Sequence, residues 1–193
     1  MSRVLITILF ASLFLAFFGA SEAAGANPKV LLKTSKGDIT LELYPDKAPG
    51  TVKNFLAYVD AKFYDGLIFH RVIKGFMIQG GGLGADFVEK QARPPIKNEA
   101  ANGLKNMKGT IAMARTDEID SATCQFFINH DNNDFLDHVP GDPKKFGYAV
   151  FGRVIAGMEV VEAIANTPTG VAHEMEAVPR QTITIISIRR VEN

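Results

Sequence analysis

Short strand-like segments separated by turn residues constrain the fold of this chain more than any other sequence feature. Residues 30–34 and 38–44 flank a Ser35-Lys36-Gly37 turn, and the second segment alternates apolar and polar residues, which predicts a β-hairpin. Further strand-like runs cover residues 68–73, 76–79, 110–114, 125–129, 149–154 and 182–189. Because Gly-, Asn- and Asp-rich turns separate most of these runs, we expect a mainly β protein.

Two segments predict helices. Thr51 can cap a helix that carries an apolar stripe at helical spacing, and residues 158–165 predict a second, shorter helix. The helices do not alternate with the strands, which favours an antiparallel barrel or sandwich over a parallel sheet, although periodicity does not separate these two. In the last strand the apolar pattern shifts phase between Ile185 and Ile186, which predicts a bulge. The stripe of the first helix comprises Val52, Phe55, Leu56 and Val59.

The N-terminus has the composition of a secretory signal peptide. Arg3 precedes an apolar run at residues 4–18, and small residues follow. Cleavage after Ala23 or after Ala26 fits these small residues equally well, so residues 1–26 are predicted to be a signal peptide. An uncleaved membrane anchor is the alternative, but the apolar run is shorter than the ~20 residues that a spanning helix needs. We therefore expect a periplasmic protein without stable membrane association after cleavage.

Residues 27–193 are predicted to form one domain, because no linker-like stretch divides them. Lys plus Arg and Asp plus Glu each total 21, so the chain lacks the net charge that attracts nucleic acid or an anionic membrane. Cys124 is the single cysteine, so an internal disulfide is impossible. We also expect a monomer.

A glycine run and the lone cysteine suggest chemistry that their context does not support. Residues 80–85 superficially match a dinucleotide-binding fingerprint, but no helix follows to receive a pyrophosphate. We therefore interpret them as a loop where backbone segments pass closely. Cys124 precedes two phenylalanines and is interpreted as a small buried hydrophobe rather than a nucleophile.

The sequence does not predict a metal site. The four histidines lack the paired spacing and the thiolates of a zinc site. Asp131, Asn133 and Asp137 resemble part of a calcium loop, but Phe135 occupies a ligand position, so they are interpreted as surface turns. The histidines are His70, His130, His138 and His173.

Ordered blocks of sequence are the most specific feature of the chain. The most informative is FHRVIKGFMIQGG at residues 69–81, followed by GTIAMAR at 109–115 and SATCQFFIN at 121–129. FLD at 135–137 and FGYAVFG at 146–152 complete the set. Together these blocks resemble the cyclophilin family, and the last block resembles its bacterial periplasmic branch. The resemblance spans about residues 30–191. It implies a closed eight-stranded antiparallel β-barrel capped by two helices, and peptidyl-prolyl cis-trans isomerase activity without a cofactor.

Arg71 is the predicted centre of the site. Strand alternation places it on one face with Phe69 and Ile73, where a charged side chain is costly unless it has a polar function. The resemblance implies that Arg71 donates to the proline nitrogen, that Gln79 holds the guanidinium or the substrate carbonyl, and that Phe76 completes the catalytic set.

The resemblance also implies a set of residues that bind the substrate. Ala114 and Arg115 would form a backbone rim, and Gln125 would hold the peptide backbone beside the rotating bond. An apolar cup for the proline ring would use Met77, Phe127 and Leu136 together with Phe76. Phe135 and Tyr148 would lie at the edge of the cup.

Three positions depart from the common family pattern. Phe135 stands where many members carry Trp, Tyr148 where many carry His, and Arg115 where Asn is common. Because the indole N–H donor is lost, we expect weak binding of the immunosuppressant cyclosporin. The expected function is isomerisation of X-Pro bonds in proteins that fold after export; the alternatives are a proline-peptide binding chaperone with little catalysis and, more remotely, a hydrolase that uses Cys124.

Overall fold

A computed structural model of the chain describes residues 26–191, so the predicted signal peptide lies outside the described residues except for Ala26. The strands are β1 (Lys29–Thr34), β2 (Gly37–Leu43), β3 (Arg71–Ile73), β4 (Met77–Gly80), β5 (Thr110–Met113), β6 (Phe126–Asn129), β7 (Val150–Ala156), β8 (Thr169–Ala172), β9 (Met175–Pro179) and β10 (Ile185–Val191). The α-helices are α1 (Pro49–Asp60) and α2 (Met158–Ala165), and one-turn helices lie at Ala100–Asn102, Asp134–Leu136 and Pro143–Lys145. Neither α-helix of this described range is long and apolar enough to cross a membrane.

Eight strands form one antiparallel sheet in the order β10-β1-β2-β7-β5-β6-β4-β3. The prediction of a mainly β, antiparallel fold with two helices is confirmed, but the prediction of a closed barrel is wrong. The sheet curls through 217° into a half-barrel. Its edge strands are β3 and β10, and the segments before them approach through a single bridge between Ile68 and Thr184. The sequence pattern predicts all eight strands of this sheet but not how far the sheet curls.

Helix α1 has the predicted apolar stripe but not the predicted cap. It begins at Pro49, whose missing N–H costs nothing in the first turn, and Ala48 before it provides no side-chain cap. Thr51 lies inside the first turn. The carboxylate of Glu99 accepts hydrogen bonds from the N–H groups of Gly50 and Thr51 at 3.0 and 2.8 Å and so replaces a local cap.

The last strands contain one confirmed prediction and one omission. In the pairing of β1 with β10, Lys33 faces Ser187 and Thr34 faces Ile185, so Ile186 is the extra residue of the predicted bulge. Strand β9, which packs against β3, and its partner β8 were not predicted from the sequence. Their turn places His173 and Glu174 at positive φ without the glycine or asparagine that usually marks such a turn.

Strand alternation divides the side chains of the sheet between two apolar clusters. The interior cluster, covered by α1 and α2, receives Ile78 of β4 and Phe126 of β6. Their neighbours in sequence, Met77 and Phe127, point to the opposite face and form a second cluster with Ala112 and Val150. The candidate site therefore lies on the outer face of the sheet, with a buried core behind it.

The structure tests the motifs that the sequence analysis set aside. A Cβ atom at Gly80 would lie 2.7 Å from the backbone carbonyl oxygen of Ile68, which confirms that backbone segments pass closely at this glycine run. Cys124 is fully buried, and burial raises the pKa of its thiol, as the interpretation of a buried hydrophobe requires. The interpretation of a surface turn is wrong for Asn133 and Asp137, which are both buried.

Candidate active site

A pocket of about 110 Å³ with an apolar floor and a polar rim opens on the outer face of the sheet. Met77 comes from β4 and Phe127 from β6, and both are buried beneath the pocket. Leu136, from the one-turn helix Asp134–Leu136, lines one side. The other residues that line the pocket are Arg71, Phe76, Gln79, Ala114, Arg115 and Tyr148.

The sheet register aligns the polar end of this pocket. Arg71 of β3 pairs with Gln79 of β4, Gln79 pairs with Phe127 of β6, and Phe127 pairs with Ala112 of β5. Paired residues point to the same face, so the charged, amide and aromatic side chains form one row across neighbouring strands. One predicted neighbour of Arg71 was wrong. Phe69 was expected on the same face as Arg71, but it precedes β3 and packs in the interior cluster.

The Arg71 guanidinium is exposed at the edge of the pocket. Its Nη1 lies 3.4 Å from Oε1 of Gln79, a long hydrogen bond, and its Cζ lies 5.8 Å from the centroid of the Phe76 ring. No ion pair among residues 26–191 includes Arg71. Its positive charge is therefore stabilised by an amide oxygen and an aromatic face rather than neutralised by a carboxylate.

A second amide extends the hydrogen-bonded row. Nε2 of Gln79 donates to Oε1 of Gln125 at 3.0 Å, so the orientations of the two amides are coupled. Gln125 lines a neighbouring depression rather than the pocket itself. Gly82 leaves the space for it, since a Cβ atom there would lie 2.5 Å from Cγ of Gln125.

The backbone rim predicted at Ala114 and Arg115 has a hydrogen-bonding group that is already in use. The N–H of Ala114 donates to the carbonyl of Gln125, so it is not available to a substrate. Arg115 lies with its Cζ 4.7 Å from the centroid of the Tyr148 ring, and its Nε donates to the carbonyl of Gly147 at 3.0 Å. The side chain of Arg115 is thus fixed across one wall of the pocket.

A buried amide network holds the pocket walls together. Asn133 donates to the carbonyl of Phe76 at 2.9 Å and to Oδ1 of Asn129 at 2.7 Å. Asn129 in turn donates to Asn106, whose amide reaches the carbonyl of Leu136 at 3.2 Å. Since buried amides that lose a partner are costly, this network fixes the spacing of the two walls.

Two other side chains complete the surroundings. Phe135 is 72 % exposed at the rim, and its ring centroid lies 5.5 Å from that of Phe76. His70, beside Arg71 in sequence, is buried with no hydrogen-bond partner for Nδ1. Burial, together with the Arg71 charge, lowers the pKa of His70 to about 4, so it stays neutral and does not compete with Arg71 as the cation.

Residues 29–190 match the family model described as cyclophilin type peptidyl-prolyl cis-trans isomerase/CLD. The chain belongs to the cyclophilin family. It is 50% identical to peptidyl-prolyl cis-trans isomerase A of Dickeya dadantii over all of both chains. It is also 50% identical to peptidyl-prolyl cis-trans isomerase B of Escherichia coli, over 82% of this chain and 97% of that protein.

Solved cyclophilin structures support the same assignment. A crystal structure of a cyclophilin type peptidyl-prolyl cis-trans isomerase of Cryptosporidium parvum matches with a TM-score of 0.71 at 28% identity. The match covers 86% of this chain and 99% of that one. The same protein, solved in the presence of the dipeptide Ala-Pro, matches with a TM-score of 0.70.

Nine of the eleven predicted site residues line the pocket of this cyclophilin, while Gln125 and Phe135 lie beside it. Their individual roles stay predictions. The buried network was not predicted from the sequence, because its members lie in turns and loops as well as on a strand. The one available signal is that Asn129 ends the block that contains Phe127 and a second asparagine, Asn133, follows four residues later.

Proposed function

We propose that this cyclophilin accelerates cis/trans isomerisation of the peptide bond that precedes proline in polypeptide substrates. The observation that carries the proposal is the Arg71 guanidinium, which has no carboxylate partner among residues 26–191 and lies at the edge of a pocket with an apolar floor. Met77, Phe127 and Leu136 offer the proline ring an apolar surface of the kind that small ligand groups prefer.

The chemistry requires no covalent step. Rotation about the X-Pro bond breaks amide resonance against a barrier of roughly 18–20 kcal/mol. In the twisted transition state the proline nitrogen becomes pyramidal and regains its lone pair. A donor fixed beside it, Arg71, stabilises this state more than the planar ground state, which is the condition for catalysis.

Gln79 and Gln125 act on the same step as positioning groups. The bond between their amides orients Oε1 of Gln79 toward Arg71, whose Nη1 lies 3.4 Å away, so Gln79 is placed to orient the guanidinium. A donor that is already oriented does not have to reorganise during rotation, and this increases its effect on the rate.

The rival function is a proline-peptide binding chaperone with little catalysis. A binder needs the apolar cup but not an unpaired cation beside the rotating bond, so Arg71 favours the enzyme. Relaxation of a short cis X-Pro peptide should be faster with the wild-type protein than without it. Peptide binding without any acceleration would overturn the enzyme in favour of the chaperone.

One chain supplies the whole pocket, so we expect the enzyme to act as a monomer, which light scattering can check.

The composition of the N-terminus supports a role in the folding of exported proteins. Proline isomerisation is slow enough to limit folding, and a signal peptide would deliver the enzyme to newly exported chains in the periplasm. We expect the mature protein to begin at Ala24 or Asn27. The intact mass of the protein from a periplasmic fraction tests this; an uncleaved chain that stays in the cytoplasmic fraction would contradict it.

Cyclosporin is expected to inhibit this enzyme only at micromolar concentrations or above. Phe135 provides an aromatic surface at the rim but no N–H donor. Phe135→Trp restores the donor and should tighten inhibition by roughly tenfold, the effect of one net hydrogen bond. Inhibition constants from the peptide assay, with Phe135→Leu as the control without a donor, check the expectation. Submicromolar inhibition of the wild-type enzyme would contradict it.

A further inference from the structure

A basic groove continues outward from the proline pocket. It shares Arg115, Leu136 and Tyr148 with the pocket, and its volume is about 450 Å³. Because a polypeptide with its proline in the pocket spans about 3.5 Å per residue, the groove lies beside residues close to that proline. Away from the pocket, the groove is lined by an aromatic ring and two basic side chains, those of Phe135, Lys144 and Lys145.

The charge of the groove is positive. Lys144 and Lys145 are exposed, and no ion pair within residues 26–191 involves either of them. Arg115 adds a third cation, whose Nε and Nη1 bind backbone carbonyls while Nη2 has no hydrogen bond to the described residues. Asp117 is the single acidic residue that lines the groove, so the lining carries two net positive charges.

The loop that carries the two lysines is held in place by its own hydrogen bonds. The carboxylate of Asp142 accepts from the N–H of Lys144 at 3.0 Å and caps the one-turn helix Pro143–Lys145. The N–H of Val139 donates to the carbonyl of Lys145 at 2.9 Å, which closes the loop. The lysine side chains therefore project from a fixed backbone.

We propose that the basic groove binds an acidic side chain of the substrate, so that this enzyme prefers proline sites with Asp or Glu a few residues away. The proposal rests on the proposed function, since it assumes that proline occupies the adjoining pocket. A substrate carboxylate in the groove would interact with solvent-exposed cations, so the attraction is modest and sensitive to salt. The aromatic and aliphatic rim of Phe135 and Leu136 supports the stems of Glu side chains.

A peptide series tests this preference. The peptides share one X-Pro bond and differ by Glu, Gln or Lys at one, two or three residues on either side of it. At one or more of these positions we expect kcat/KM for Glu to exceed that for Lys by about two- to fivefold at low salt, as for an exposed ion pair. The ratio should fall towards one in about 0.5 M salt, where the Debye length is a few ångströms.

Variants assign the preference to the groove. Lys144→Glu with Lys145→Glu should abolish or reverse it. Lys47→Glu with Lys53→Glu makes the same change in net charge at two exposed lysines outside the groove and should leave both the ratio and the basal activity unchanged. Equal values for Glu and Lys at every position, or a preference that survives Lys144→Glu with Lys145→Glu, would overturn the proposal. Failure of the proposed function is distinct, because the Gln peptides would then isomerise no faster with enzyme than without it.

Discussion

Arg71→Ala is expected to lower kcat/KM for a short X-Pro peptide by about 10²- to 10³-fold, the loss measured elsewhere when one fixed transition-state donor is removed. The reason is geometric. Arg71 is the cation bonded to Gln79 at the edge of the pocket, while Nε and Nη1 of Arg115 bind backbone carbonyls and its guanidinium lies over the Tyr148 ring. Because Arg71 has no ion-pair partner among the described residues, its removal leaves no buried charge, and the fold should survive.

The measurement is the rate of cis-to-trans relaxation with each variant at equal concentration. Arg71→Lys keeps the charge but loses the planar fork, and we expect it to recover only part of the rate. Arg180→Ala provides a matched control, since Arg180 is exposed and lies outside the pocket. Equal rates for wild type and Arg71→Ala, with unchanged circular dichroism, would remove Arg71 from the mechanism.

Phe55→Ala is expected to lower the free energy of unfolding by about 3–5 kcal/mol, the usual cost of deleting a buried phenyl ring. Phe55 of α1 is fully buried. Its ring centroid lies 5.4, 5.8 and 5.2 Å from those of Tyr64, Phe126 and Phe151, so its loss removes contacts to three rings at once. Phe126 is next to Phe127 of the pocket, which connects this core to the site.

Urea denaturation followed by circular dichroism measures the effect. Phe55→Leu fills most of the space and should cost less, which keeps the expectation testable if the alanine variant does not fold. Phe135→Ala is the control on an exposed ring and should change stability by under about 1 kcal/mol. A cost of less than about 1 kcal/mol for Phe55→Ala would contradict the described packing.

Much of the local structure could be predicted because it depends on neighbouring residues. Helix α2 has the predicted bounds, Met158–Ala165, since its apolar spacing and the preceding Gly157 lie within one short segment. The first hairpin agrees within one residue at each end. The bulge at Ile186 follows from a change of apolar phase that any strand with one buried face would require.

The residues of the site were predictable because the chain resembles a known family. Alternation shows which residues of a strand share a face, but Phe69 was misplaced because it precedes β3 and does not follow the alternation of that strand. The pocket residues were therefore identified by resemblance to a family and not by periodicity. The pairing of Gln79 with Arg71 and Phe127 brings residues from three strands into one row.

The sequence by itself determined both helices, every strand except β8 and β9, the family, and nine residues that line the pocket. Only the tertiary structure decided that Glu99 caps a helix 48 residues away, that Asn133 is buried, and that the sheet stops at a half-barrel. The physical reason is the range of the interactions. Periodicity reports which face of an element avoids water, whereas caps, buried amide partners and sheet closure depend on which distant segments meet.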